Sequence, residues 1–246
     1  TFNAMLSRLQ DAYARVSHAL QQQRDFVADV SHELRTPLTT LRGNLDLLRR
    51  QPPLPAEEQA DILTDLVDES DRLVRLVNDL LVLARADAGR SLALEPLAIH
   101  PLLEEVCRQA QVLAPKRQVT CQVAPQLAIH ADRDALKQVL LILLDNALKH
   151  SSGPVELSAV PQGAHTLLTV CDHGPGIPPE VLEHVFDRFY RGAETPTAPG
   201  FGLGLSIARA LVQAQGGAIE IHSVLDQGTT VTLTLPIGPP PNPIHP

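Results

Sequence analysis

The sequence carries no excess of basic charge: 20 Lys and Arg stand against 28 Asp and Glu, a formal net charge of -8 over 246 residues. Nucleic-acid binders gather Lys and Arg on one face, so DNA and RNA are set aside as partners. Cysteine is scarce. Cys107, Cys121 and Cys171 are far apart, with neither a CxxC pair nor a dense even pattern. This excludes a disulfide scaffold and leaves reduced, mostly buried thiols of a cytosolic compartment as the expectation. No apolar run approaches the ~20 residues of a membrane span, and no signal peptide opens the chain. Thr1 stands where a start Met would be, so a piece of a longer protein is expected. What is present suffices for folded cores, since 44% of the residues are hydrophobic. The length exceeds one typical domain of roughly 100–150 residues, so two units are expected.

The two halves follow different periodicities. From Leu6 onward, Leu9, Tyr13, Val16, Leu20, Val27, Val30, Leu34, Leu41 and Leu48 keep a three-then-four spacing, broken at Gln23, Pro37 and Asn44. That is a heptad seam on one long helix. Running to about Arg50 at ~1.5 Å per residue, it would reach roughly 75 Å, too long to stand in water without a partner surface. Pro37 should kink it, because a proline removes one ladder bond and crowds the preceding turn. Gln51-Pro-Pro-Leu-Pro-Ala56 cannot continue a helix and reads as a tight connection. A second helix is predicted from about Glu57 to Asp87, with Ile62, Leu66, Leu73, Leu76, Leu80 and Leu83 on one face. Leu63, Val67, Val74, Val77 and Leu81 lie beside them. That stripe is wider than a two-stranded seam needs, and two helices joined by a short loop cannot cover each other. Two such hairpins packed as a four-helix bundle would, which predicts a homodimer.

After Ala88-Gly89 short β-branched runs take over, near 119–123, 155–160, 167–170, 218–223 and 229–235. Helical stretches near 101–114, 133–150 and 202–215 lie between them. The mixture predicts a two-layer α/β sandwich. The tail Gly238-Pro-Pro-Pro-Asn-Pro243 reads as disordered.

His32 lies two positions past Val30 of the seam, about 200° away around the helix, and should face solvent. A lone exposed histidine is usually no more than part of a solvated face. Here, however, the string Phe26-Val-Ala-Asp-Val-Ser-His-Glu-Leu-Arg-Thr-Pro-Leu38 resembles, nearly position for position, the H-box of the histidine-kinase dimerisation domain (HisKA). The resemblance implies that His32 attacks the terminal phosphorus of ATP, with Glu33 as the base that orients it or accepts its proton. It also implies that Thr36 positions a water for dephosphorylating the partner. The plainer alternative for Thr36 is a helix hydroxyl bonded to a preceding carbonyl.

Three further stretches supply what phosphoryl transfer needs, and none is a Walker A loop. Leu143-Leu-Asp-Asn-Ala-Leu-Lys-His-Ser151 resembles the N-box of the same family's ATP-binding domain (HATPase_c, the Bergerat-type fold). The match implies that Asn146 binds Mg²⁺ through its amide oxygen and that Lys149 offers charge to the phosphates. Ile142 departs from the pattern, which usually has asparagine there. An aliphatic side chain cannot coordinate a metal, bond a phosphate or hold a water. Either turnover and metal dependence are altered, or other groups compensate.

Asp172-His-Gly-Pro-Gly-Ile177 resembles the G1 box, in which an ionised Asp172 accepts from the adenine amino group while Gly174 and Gly176 let the chain approach the ligand. Phe186-Asp-Arg-Phe-Tyr-Arg191 resembles the F-box, with Phe186 and Phe189 as anchors and Arg191 reaching toward the γ-phosphate. Gly200-Phe-Gly-Leu-Gly-Leu205 resembles the G2 box, where Gly200, Gly202 and Gly204 precede a helix whose free N–H groups can face phosphate oxygens. Ile177 and Leu203 complete the implied ATP contacts. A Rossmann fingerprint is rejected, since the spacing is GxGxG and no strand leads directly into it. Residues 179–199 are expected to form a lid, disordered without nucleotide. Gly216-Gly-Ala-Ile-Glu-Ile221 and Gly228-Thr-Thr-Val-Thr-Leu-Thr-Leu-Pro236 resemble the closing hairpin.

The likeness covers roughly residues 20–237, with all boxes in order. It implies a sensor histidine kinase core: residues 1–19 as the end of a HAMP-like linker, 20–89 as the dimerisation and phosphotransfer domain, 90–237 as the ATP-binding domain, and 238–246 as a tail. ATP and Mg²⁺ would be the cofactors, a cognate response regulator the partner, and membrane attachment would come only through upstream segments of an inner-membrane sensor. The connection 86–90 would be the hinge, with Gly89 at its centre. Two rivals are weighed. A non-catalytic scaffold is opposed by the intact G1 and G2 boxes, and an ATPase of the gyrase or chaperone kind has no use for an exposed His-Glu on a dimer helix.

Overall fold

The computed structural model describes residues 2–50, 54–87, 92–124, 127–192 and 200–238. The chain divides into two compact units, Thr1–Asn78 and Asp79–Pro246.

The first unit is helical. α1 spans Phe2–Leu48 and α2 spans Ala56–Asp87, the last turns of α2 belonging to the second unit. Pro37 lies inside α1 and does not end it. It is buried, and its missing N–H leaves the Glu33 carbonyl without its ladder donor. The predicted α2 face is covered to different degrees: Leu76 is fully buried, while Ile62, Leu66 and Leu73 are half-buried. The neighbouring stripe stays open in the single chain, with Leu63, Val67, Val74 and Val77 all exposed. So do the seam residues Leu6, Leu9, Tyr13, Val16, Leu20 and Val27 on α1. The proposed hinge Gly89 falls in 88–91, outside the described residues.

The second unit begins with β1 (Glu95–Ala98) and α3 (Ile99–Leu113), followed by β2 (Val119–Val123), β3 (Ala128–Ala131) and α4 (Arg133–His150). Then come β4 (Val155–Gln162), β5 (His165–Asp172), α5 (Pro179–Leu182), α6 (Gly204–Ala214), β6 (Ala218–Val224) and β7 (Gly228–Pro236). Five strands form one sheet in the order β2-β4-β5-β7-β6, in which β2 runs parallel to β4 and every other pair is antiparallel. β1 and β3 form a small antiparallel sheet of their own.

Alternation along the strands shows why the unit has two layers. Val155, Leu157 and Ala159 of β4, Thr166, Leu168 and Val170 of β5, and Val231, Leu233 and Leu235 of β7 are buried, and the residues between them are more open. One sheet face is therefore apolar and must be covered. α3, α4 and α6 pack on it and against one another, contributing Leu102, Leu103, Val106, Leu136, Leu140, Leu143, Leu144, Ile207 and Val212. α4 is started by Asp132, whose carboxylate accepts from the Asp134 and Ala135 amides, a cap that satisfies two otherwise free donors. Gln215 is 1% exposed and ties the end of α6 to the start of α4, accepting from Asp132 N at 3.0 Å and donating to Leu211 O at 3.0 Å.

The three cysteines are free. Hydrogen bonding to Cys121, then burial, pushes the Cys107 thiol up, and the same bond lowers Cys121. The lid expectation needs correcting in part. Residues 179–192 are folded, with a short helix and half-buried Val181, Leu182, Val185, Phe186, Phe189 and Tyr190, rather than disordered. Among them, Phe186 is held by Arg209 of α6, whose guanidinium lies 5.3 Å from its ring centroid. Residues 193–199 and the tail from 239 lie outside the described residues. Among the described residues, no helix is long and apolar enough to cross a membrane.

Candidate functional site

On α1, His32 is exposed and Glu33 beside it is half-buried. The hydroxyls of Ser31, Thr39 and Thr40 each bond back to the carbonyl four residues earlier, at 2.7, 2.8 and 3.3 Å. Thr36 makes no such bond among the described residues, so its exposed hydroxyl is open to a ligand or water. The plainer expectation for Thr36, a back-bonded helix hydroxyl, therefore does not hold here.

In the second unit the separate boxes meet one another. G1 begins where β5 ends: Asp172 Oδ1 accepts from Gly174 N at 2.8 Å, a turn that fixes one carboxylate oxygen and leaves the other to a ligand. Gly174 presses on the end of the N-box helix. A Cβ there would lie 2.8 Å from Ser151 Cβ and 2.9 Å from the His150 carbonyl oxygen. Gly176 has φ +76° and sits against the β6–β7 turn, where a Cβ would lie 2.2 Å from Val224 O. Ile177 N donates to Ser223 Oγ at 2.8 Å. Ser223 carried no motif; only its place opposite G1 in the folded sheet reveals it.

G2 is held from two sides. Gly202 has φ +68°, and a Cβ there would come within 2.5 Å of Tyr190 O of the F-box. Gly204 starts α6 directly over Ile142: a Cβ would lie 3.2 Å from Ile142 Cγ2. The Ile142 side chain is thus a wall under the G2 glycines, an apolar packing role in place of a polar one. Leu203 and Phe201 are buried, while Gly200 is exposed with open space around its Cα. The α6 N-terminus has no side-chain cap, so its first amides remain available for an anion. Arg209 of α6 binds the F-box, donating to Phe186 O at 3.0 Å with its guanidinium 5.3 Å from the Phe186 ring centroid.

Asn146 is half-buried on α4, and its amide has no hydrogen-bond partner among the described residues. Lys149 is exposed and paired with Asp145 at 2.5 Å, so part of its charge is answered within the helix. Arg191 is exposed at the edge of the described lid residues. An open cleft of about 390 Å³ runs along α4 past Ile142 and Asp145; Asp172 and the glycines do not line it. The donor set fits a magnesium nucleotide: a free amide oxygen, a half-committed carboxylate that can read an amino group, and an uncapped helix start.

Comparison with known proteins agrees with this arrangement. Residues 22–89 match the His Kinase A (phospho-acceptor) domain, and residues 131–239 match the histidine kinase-, DNA gyrase B- and HSP90-like ATPase domain. The chain belongs to the sensor histidine kinases of two-component systems. It is 34% identical over 235 residues to the sensor histidine kinase YkoH of Bacillus subtilis, covering 95% of this chain and 50% of that protein. Among solved structures it resembles the mycobacterial sensor histidine kinase MprB, with 30% identity, a TM-score of 0.55, and coverage of 59% of this chain and 99% of that one. It also resembles full-length ShkA in complex with AMPPNP, with 33% identity, a TM-score of 0.65, and coverage of 86% of this chain and 45% of that one. The chain spans about half the length of the curated relatives it matches.

Proposed function

We propose that this chain is the catalytic core of a dimeric sensor kinase that transfers the γ-phosphoryl group of ATP to His32 and then to an aspartate of a response regulator. One observation carries the reading. A solvent-facing imidazole flanked by Glu33 shares a chain with a nucleotide cradle whose Asn146 amide, second Asp172 oxygen and α6 amides are uncommitted.

The chemistry follows from those groups. Asp172 holds the adenine by its amino group, a choice that favours adenine over guanine. The α6 amides and Arg191 hold the phosphates, and Asn146 holds Mg²⁺. When bound, the ion would supply neutralisation of phosphate charge. The neutral His32 imidazole donates its lone pair to the γ-phosphorus. An N–P bond forms, the bond to the β-phosphate oxygen breaks, ADP departs, and Glu33 takes the imidazole N–H proton. The phosphoramidate is acid-labile and high in transfer potential, which suits passage to a carboxylate. Thr36, with its free hydroxyl, positions a water for the reverse function of removing phosphate from the regulator. Ile142 supports compensation rather than decay, since it is built into the packing beneath Gly204.

Dimerisation follows from the open apolar stripe. Leu38, Leu45, Leu63, Val67, Val74 and Val77 are each roughly half exposed, so covering them contributes about 1 kcal/mol apiece. That is roughly 12 kcal/mol for a pair of chains, near the 4–15 kcal/mol cost of association. The α1 seam from Leu6 to Val27 supplies the margin. With residues 1–19 resembling the end of a HAMP linker, the chain is read as the cytoplasmic part of an inner-membrane sensor.

The test is incubation with γ-labelled ATP and Mg²⁺. Label that enters the chain, is lost in acid and is absent from His32→Gln is expected; label that survives the substitution overturns the assignment.

A further inference from the structure

Arg117 belongs to none of the boxes, yet it is among the most heavily bonded side chains of the second unit. It sits in the turn between α3 and β2, and its guanidinium spans the loop that leaves the N-box helix. Nη1 donates to Leu148 O at 3.0 Å and to Ser151 O at 2.6 Å, Nη2 to Ser151 Oγ at 2.9 Å and also to Gly153 O, and Nε to Gly153 O at 3.0 Å. A planar fork with fixed donors can hold several acceptors at once in a way an ammonium cannot. Its positive charge also lies at the negative end of α4.

The loop so held is the wall against which G1 is built. Ser151 is 8% exposed and anchored a second time, its hydroxyl donating to Ala147 O at 2.7 Å. Ser151 Cβ and His150 O are the atoms that come within 2.8 and 2.9 Å of a Cβ placed on Gly174. Gly153 in turn lies against His173: its own Cβ would lie 3.1 Å from His173 Cβ and 3.1 Å from His173 O. His173 Nδ1 is 3.3 Å from Pro154 O. The loop thus touches both residues that follow Asp172, and Gly174 is the residue whose amide fixes Asp172 Oδ1. A shift of this wall by a few tenths of an ångström must be taken up by the turn that aims the Asp172 carboxylate.

We infer that Arg117 is a positioning residue for nucleotide recognition: it fixes the segment 148–153, the end of α4 and the loop that follows, and through it the orientation in which Asp172 meets the 6-amino group of adenine. The inference rests on the adenine-reading role proposed for Asp172, so its test separates the two.

The chain carrying His32→Gln, which cannot consume nucleotide, is titrated with ATP and with purine riboside triphosphate, which lacks the 6-amino group. Each is measured with Mg²⁺ by displacement of a fluorescent trinitrophenyl ATP analogue. The ratio of the two affinities reads the amino-group contact alone. Asp172→Asn should collapse that ratio. Arg117→Met, which keeps the aliphatic stem, should lower it about tenfold while affinity for purine riboside triphosphate changes less than twofold; Arg117→Lys should fall between. A structural role only would weaken both nucleotides alike and leave the ratio where it was, which overturns the inference. Should Arg117→Met fail to fold, Arg117→Lys and Ser151→Ala, which removes one of the fork's acceptors, carry the same comparison. If Asp172→Asn leaves the ratio unchanged, the adenine assignment itself falls. If Asp172→Asn collapses it and the Arg117 and Ser151 variants do not, only the role of Arg117 falls.

Discussion

Replacing Gly176 by alanine should destabilise the nucleotide-binding unit itself, beyond any effect on nucleotide affinity. Two costs add there. Its φ of +76° is left-handed, and an L side chain in that region costs about 1–2 kcal/mol. The new Cβ would also lie 2.2 Å from Val224 O and 2.7 Å from Val224 C, backbone atoms that cannot swing away as a side chain could. Overpacking of this kind costs about 1–3 kcal/mol. The sum is about 2–5 kcal/mol, or roughly 5–20 °C in Tm for a unit of this size. Gly163 is the internal control. Its φ is +60° with nothing within 4 Å of a Cβ, so alanine there should show only the backbone cost. Calorimetry of both variants without nucleotide, following the transition of the 79–246 unit, makes the comparison. A Gly176→Ala loss no larger than that of Gly163→Ala would refute the claim that this glycine is required by the β6–β7 turn.

Other outcomes follow from the same geometry. Glu105 of α3 is bonded by Lys137 at 2.6 Å and by Arg133, both on α4, and Lys137 first, then Arg133, hold its carboxyl below the usual range. Because its folded value is the lower one, this contribution is present above the ordinary carboxylate pKa and is lost as pH falls through the depressed value. Glu105→Gln should therefore flatten the acid limb of a Tm against pH curve and leave the neutral region nearly parallel to the parent. Val67→Glu combined with Val74→Glu puts carboxylates on the open stripe of α2, and burying unpaired charge costs several kcal/mol. Sedimentation should show the dimer dissociation constant raised about a hundredfold or more. Thr36→Ala should leave labelling of His32 within about twofold, because the hydroxyl takes no part in the attack, while release of phosphate from a phosphorylated regulator falls about a hundredfold, the lower end of what a positioned proton-transfer group contributes. Equal loss in both assays would return Thr36 to a helix-packing role.

Much of this architecture was legible because burial is periodic. The alternation of β4, β5 and β7 and the three-four spacing of α2 each reflect one covered face, and a covered face must be written into the sequence. His32 could be placed toward solvent from helical phase alone. What could not be read was short or non-local. β1 and β3 have four residues each, and β1 contains Pro96, too little for a pattern to emerge. α5 is a single turn between prolines and a half-buried Val185. The glycines of G1 and G2 were legible as places of close approach, but their partners were not: Gly176 meets Val224 and Gly204 meets Ile142, pairings set only by the completed sandwich. Arg117 left no signal at all, because its acceptors, three backbone carbonyls and the Ser151 hydroxyl, lie 31 to 36 residues later in the chain. The order of 179–192 comes from half-buried Val185, Phe186 and Phe189, whose spacing is too irregular over one short helical turn to give a periodic signal.

The most direct measurement is localisation of the phosphoryl group on the intact chain after brief exposure to ATP and Mg²⁺, by peptide fragmentation kept at neutral or alkaline pH. The phosphate should sit on the imidazole of His32 and nowhere else in the 26–38 segment. Phosphate on Ser31 or Thr36, or a chain that binds ATP and remains unmodified, would contradict the central claim.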